Sequence, residues 1–148
     1  MSCLRVLILY FNTMKIFTAL LLFFFTAGKS HADIVVIGNL KNNLQSLNSV
    51  QVEDIFMGRT RSLPNGHFAL PVCQSTLRPV FYQKLTTKPI EQINAYWAML
   101  AFRGQISPPM EFPDDNSVLS IVNENRDAIG YIDSRNVNNS VRVLLRLN

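Results

Sequence analysis

Near its start the chain has a block of apolar residues that no charge interrupts. Ile16 to Ala27 has Leu20-Leu21-Leu22-Phe23-Phe24-Phe25 at its centre, follows Met14-Lys15 and leads into Ser30-His31-Ala32. A basic start, a short apolar core and small residues three and one positions before a cut describe a secretory signal peptide. The run is too short to cross a bilayer, which takes about 20 apolar residues. A second patch, Val6 to Phe11, is separated from it by Asn12, Thr13 and Lys15. We therefore expect residues 1–32 to be a signal peptide with Met14 as the true start, and residues 33–148 to be one exported, periplasmic domain. An uncleaved N-terminal anchor is the alternative.

Beyond Ala32 the pattern alternates between strand and helix periods. Asp33-Ile34-Val35-Val36-Ile37-Gly38 is a β-branched run without polar alternation, which suits a strand covered on both faces. Ser49 to Met57 reads as a helix, with Ser49 as N-cap, Val52, Ile55 and Phe56 as its apolar stripe and Gly58 just past its end. Arg59 to Gly66 is a loop closing on an Asn-Gly turn. His67 to Val72 predicts a second strand, and Pro71 marks a strand end or an edge. Helices follow over about Leu77–Leu85 and Ile90–Phe102, the latter with Ile93, Tyr96, Trp97 and Leu100 on one face, the apolar period of a core helix. Gly104 to Asp115 is an extended loop broken by Pro108, Pro109 and Pro113. A helix over about Asn116–Asn125 carries acidic caps at Asp114 and Asp115. Two short strands, Ala128–Ile132 and Val141–Leu145, end the chain. Strands alternating with helices predict an α/β fold with a mostly parallel sheet flanked by helices.

Charge and cysteine content narrow the function. The whole chain has 14 Lys+Arg against 10 Asp+Glu. Three of the basic residues (Arg5, Lys15, Lys29) leave with the signal, so the mature part carries a net charge near +1. That lacks the basic excess of a nucleic-acid binder. Cys3 is also removed, and Cys73 alone cannot make an internal disulfide framework. It reads as a small buried hydrophobe, with an intermolecular disulfide as the alternative. One His (His67) and one Cys cannot build a zinc site of the common types. Nucleophile-elbow and phosphate-loop motifs are missing, so neither enzymatic activity nor a cofactor is expected.

Candidate binding chemistry concentrates where the second strand hands over to a helix, at Gln74-Ser75-Thr76-Leu77-Arg78. Backbone N–H groups at a helix start, the Ser75 and Thr76 hydroxyls and the Arg78 guanidinium together suit an oxyanion. The bland reading is a helix cap and a solvated first-turn arginine. Arg59 and Arg61 flank the preceding loop and could add positive potential.

Several segments, taken in order, resemble a known family. Gln51-Val52-Glu53-Asp54-Ile55-Phe56-Met57-Gly58-Arg59, Leu70-Pro71-Val72, the Ser75, Arg78 and Phe81 spacing, and Ala128-Ile129-Gly130-Tyr131-Ile132 are similar to segments of phosphate ABC transporter substrate-binding proteins, closest to short single-lobe members. The resemblance spans about Ile34 to Leu147. It implies a single periplasmic-binding-protein-like lobe and an oxyanion site at Ser75, Thr76, Arg78 and Arg59. The departures are a Leu77 where the family pattern has a hydroxyl, no arginine just before Ser75, and room for one lobe only. The resemblance therefore implies phosphate or a similar oxyanion as ligand at a weak or vestigial site. The other reading is a non-enzymatic envelope adaptor that docks a sensor, a pore or another protein.

Overall fold

β1 (Ile34–Asn39) is buried at every position and lies inside the sheet. The computed structural model of the protein describes residues 33–148, so the signal-peptide and start-site assignments lie outside the described residues. The remaining elements are α1 (Ser49–Phe56), β2 (Leu70–Gln74), α2 (Arg78–Thr86), α3 (Ile90–Phe102), β3 (Met110–Phe112), α4 (Asp115–Glu124), β4 (Ala128–Asp133) and β5 (Val141–Leu147), with short 3-10 turns at Leu40–Asn42 and Ser134–Asn136.

The five strands form one sheet in the order β3-β2-β4-β1-β5. β2 pairs in parallel with β3 and with β4, whereas β1 is antiparallel to both β4 and β5. Four strands thus point one way and β1 runs against them. The α/β fold with a mostly parallel sheet is as the pattern predicted, and the reversed inner strand is a detail that pattern does not carry.

The double-faced reading of β1 has a direct structural cause. Ile34 and Val36 face a core built with α1, α2 and α3, while Val35 and Ile37 face a second core built with α4. Each such fully buried side chain stabilises the fold by ~1.5–3 kcal/mol relative to exposure. On the first face, Phe81 stacks on Tyr131 with ring centres 3.7 Å apart, and Phe56 meets Phe81 edge-on at 4.9 Å. Three hydroxyls tie this layer down. Tyr82 donates to the Phe56 carbonyl at 3.0 Å, Tyr96 to Met57 at 2.9 Å and Tyr131 to Gln74 at 3.1 Å. The last of these fixes the end of β2.

Local differences have physical reasons. Asn48, not Ser49, caps α1: its side chain accepts the Gln51 N–H at 2.9 Å and the Gln51 side chain returns to the Asn48 N–H at 2.9 Å. That is a reciprocal capping box, which satisfies two donors where Ser49 alone would satisfy one. His67 and Phe68 stay outside β2, which starts at Leu70. Pro71 is tolerated because the ladder to β3 begins one residue later, at Val72. The proline-broken segment contains β3, a three-residue strand too short for any period to reveal. Gly58 ends α1 at φ +68°, and a Cβ there would lie 2.4 Å from Ile106 and 2.9 Å from Trp97.

Candidate functional site

β2 delivers the chain to the C-terminal end of the parallel strands, and the next residues turn directly into α2. The Gln74 side chain folds forward, and its Oε1 accepts the Leu77 N–H at 2.6 Å. One of the orphan donors of the helix start is thereby used. Pro79, in the first turn, has none to offer. Ser75 gives both its N–H and its hydroxyl to the Phe112 carbonyl, at 2.9 and 3.0 Å. The Thr76 hydroxyl reaches the Pro113 carbonyl at 3.4 Å. Both residues are exposed to solvent. A hydroxyl has a single proton, so an incoming oxyanion must displace these bonds to be recognised. Each bond contributes about 0.5–1.5 kcal/mol.

Arg78 is the first residue of α2 and lies along the flank formed by α3 and β3. Its Nη1 donates to Asn94 Oδ1 at 2.7 Å, its Nε lies 3.2 Å from Glu111 Oε1, and its Cζ sits 5.5 Å from the centre of the Tyr82 ring. Only 14% of the side chain is exposed. The guanidinium is held on three sides and its charge is met by Glu111. Asn94 and Glu111 were not among the residues the sequence singled out. The only hint of Glu111 was Met110-Glu111-Phe112, an apolar–polar alternation three residues long.

The structure brings Ser75, Thr76 and Arg78 together and leaves Arg59 apart. Arg59 folds back on α1, with Nη1 2.9 Å from Glu53 and 3.1 Å from Asp54. Hydrogen bonds to Asp54 and then Glu53 raise its pKa above the ordinary value. Its neighbour Gly58 lines a cleft with Leu70 and Pro71, the first residues of β2. Arg59 therefore belongs to the opposite end of that strand from Ser75.

Carboxylates crowd the C-terminal end of the sheet. Asp114 caps α4 as expected: its Oδ1 accepts the Ser117 N–H at 2.8 Å, and that bond lowers its pKa. Asp115 has a different role from the cap the sequence suggested. It is buried, and its Oδ2 accepts the Asp133 N–H at 3.2 Å and the Asn136 amide at 2.7 Å. Asp133, at the end of β4, pairs with Arg135 at 2.6 Å, and hydrogen bonds from Arg135 lower its pKa. Behind the turn, Cys73 is buried, which pushes its thiol up to about 11. Burial likewise raises Tyr82 and Tyr131 above the ordinary phenol value. Among the described residues no three His, Cys, Asp or Glu side chains are placed to hold a metal ion. No described helix is long and apolar enough to cross a membrane.

Comparison with protein-family models gives no match, and neither does comparison with curated protein sequences. Solved structures do match in fold. An ABC-type phosphate transport receptor from Vibrio cholerae superposes with a TM-score of 0.60 at 16% identity, over 76% of this chain and 45% of that one. A protein from Clostridium perfringens, described as a phosphate ABC transporter substrate-binding protein and solved with bound phosphate, superposes with a TM-score of 0.55 at 23% identity, over 76% of this chain and 44% of that one. The chain thus spans less than half the length of either structure. Its fold is that of a periplasmic-binding-protein-like lobe, in agreement with the resemblance of the sequence segments.

Proposed function

We propose that the chain is an exported, non-enzymatic oxyanion-binding domain of the phosphate-receptor type, built as one lobe, with a weak or vestigial site at Ser75, Thr76 and Arg78. The observation that carries this reading is the match of its sheet and helices to under half of two phosphate receptors. The exposed strand-to-helix turn after β2 supports it as the place for the anion. Weakness follows from the occupied donors. The two hydroxyls bond backbone carbonyls and Arg78 is paired with Glu111, so binding must first break contacts. Arg59 lies outside the proposed site.

The test is calorimetric titration of the mature protein with phosphate and with sulfate at ~150 mM salt, where charges more than ~8 Å apart are largely screened. We expect saturable phosphate binding in the high micromolar to millimolar range, on the order of −4 to −5 kcal/mol. Arg78→Ala should weaken it roughly tenfold to a hundredfold by removing a charge-assisted bond. Lys88→Ala, beyond the far end of α2, should leave it unchanged. Equal losses in the two variants would reduce the site to non-specific electrostatics, and no saturation at millimolar phosphate would remove the oxyanion. Export rests on the N-terminal apolar segment and predicts an intact mass beginning at Asp33.

An envelope adaptor is the second reading. It draws on α3, where Phe102 is 94% exposed and Met99, three residues before it, is 41% exposed. Site-specific crosslinking from position 99 in envelope extract should then capture one discrete protein, and adding Phe102→Ser should abolish the capture.

A further inference from the structure

A second concavity lies at the other end of β2 from the Ser75 turn, beside Leu70 and Pro71. It is a cleft of about 220 Å³ whose body is apolar, with Ile55, Phe68, Leu70, Trp97, Ile106 and Met110 among its walls. Phe68 and Met110 are 54% and 57% exposed, so wet apolar surface surrounds it. Covering that surface with another apolar group is favourable. Three of the wall residues, Pro71, Pro108 and Pro109, have no N–H to offer a ligand.

Arg61 is the one ionisable side chain in the lining. Arg59, Arg78 and Arg135 are all ion-paired, whereas the Arg61 guanidinium has no ion pair to another described residue. An unpaired cation at the edge of an apolar cleft complements a ligand with one negative charge and an apolar body. Size sets the class further. The cleft, at about 220 Å³, admits a small organic body rather than a large one. It is smaller than the pockets that take drug-sized ligands. Phosphate does not fit the chemistry, because apolar walls cannot replace the hydration of a small, doubly charged ion.

We propose that this cleft binds a small organic monocarboxylate with an apolar chain or ring of about six carbons, its body against Trp97 and Ile106 and its carboxylate at Arg61. The site is separate from the oxyanion turn, and either can fail without the other.

Trp97 is the single tryptophan of the chain, so its fluorescence reports the cleft directly. The experiment titrates the mature protein with hexanoate and, as a neutral match of the same chain length, with 1-hexanol. Hexanoate should give a saturable change in Trp97 emission at millimolar concentration or below, and phosphate should give none. Arg61→Gln should weaken hexanoate about tenfold or more and leave hexanol unchanged, because only the carboxylate loses a charge-assisted bond. Met110→Ser should weaken both. Arg61 and Met110 are exposed, so neither variant threatens the fold. The proposal is overturned if hexanoate produces no saturable change up to about 10 mM, a limit corresponding to binding weaker than roughly −3 kcal/mol. It is equally overturned if Arg61→Gln alters both ligands alike, or if backbone amide shifts on adding hexanoate cluster at Ser75 and Thr76.

Discussion

Gly130 sits in the middle of β4, opposite Ile37 of β1, with α4 packed over it. A Cβ at this position would lie 2.6 Å from Val118 Cγ1, 2.9 Å from Val72 Cγ2 and 3.4 Å from Val122 Cγ2. Carbon atoms rest at about 3.5–4.0 Å, so the first contact is short by about 1 Å. Gly130 has no left-handed backbone, so Gly130→Ala tests packing alone. Overpacking of this kind costs ~1–3 kcal/mol, partly offset by ~0.4–1 kcal/mol from the lower entropy of the unfolded alanine chain. We expect a net loss of about 1–2 kcal/mol, a sizeable part of the 5–15 kcal/mol typical of a whole domain. Urea denaturation should show the midpoint falling by roughly 0.5–1 M with an unchanged slope. Val118→Ala in the same chain removes the nearest methyl groups, so the double variant should be more stable than the sum of the two single losses by at least ~0.5 kcal/mol. A loss under about 0.5 kcal/mol for Gly130→Ala, or no coupling with Val118, would refute the close approach of α4 to this strand.

Other substitutions test other parts of the structure. Trp97 is 4% exposed, so Trp97→Ala should cost ~3–5 kcal/mol in the same assay, and a loss under about 1 kcal/mol would put that side chain at the surface. Cys73 is buried and its thiol is pushed up to about 11, so it should resist thiol reagents at neutral pH until the protein unfolds. Rapid labelling of the native protein would contradict that burial. Asp133 has its pKa lowered on folding, so its contribution is present above the ordinary carboxylate value and is lost as pH falls through the depressed one. Arg135→Gln should move the Asp133 carboxyl titration, followed by NMR, upward and make the loss of stability in acid smaller, because the folded and unfolded carboxyl values approach one another; an unmoved titration would refute the pairing. Glu111→Gln should release Arg78 and tighten phosphate binding several-fold, whereas weaker binding would mean that Glu111 positions the guanidinium productively.

Local chemistry in the sequence determined much of the element order. The charge-free run of β1 announced a strand covered on both faces, and α3 occupies Ile90–Phe102 as its apolar period predicted. The Asp114 cap needed only residues within one helical turn. The same range held the signal for the true α1 cap, since Asn48 stands three residues before Gln51 in capping-box spacing. What only the tertiary structure decided depends on partners far along the chain. β3 exists because Val72, Cys73 and Gln74 offer it a parallel ladder, and three residues between prolines show no period of their own. The reversal of β1 between β4 and β5 is a choice among pairings that one strand's own residues cannot encode. At the candidate site, the sequence placed Ser75, Thr76 and Arg78 side by side because they are neighbours in the chain. Only the fold aimed them, by bringing the Phe112 carbonyl to Ser75 and Asn94 and Glu111 to Arg78, while the ion pairs of Arg59 with Glu53 and Asp54 hold it at the other end of β2. Residue type and spacing declare which donors a chain owns, and long-range packing decides which of those donors remain free.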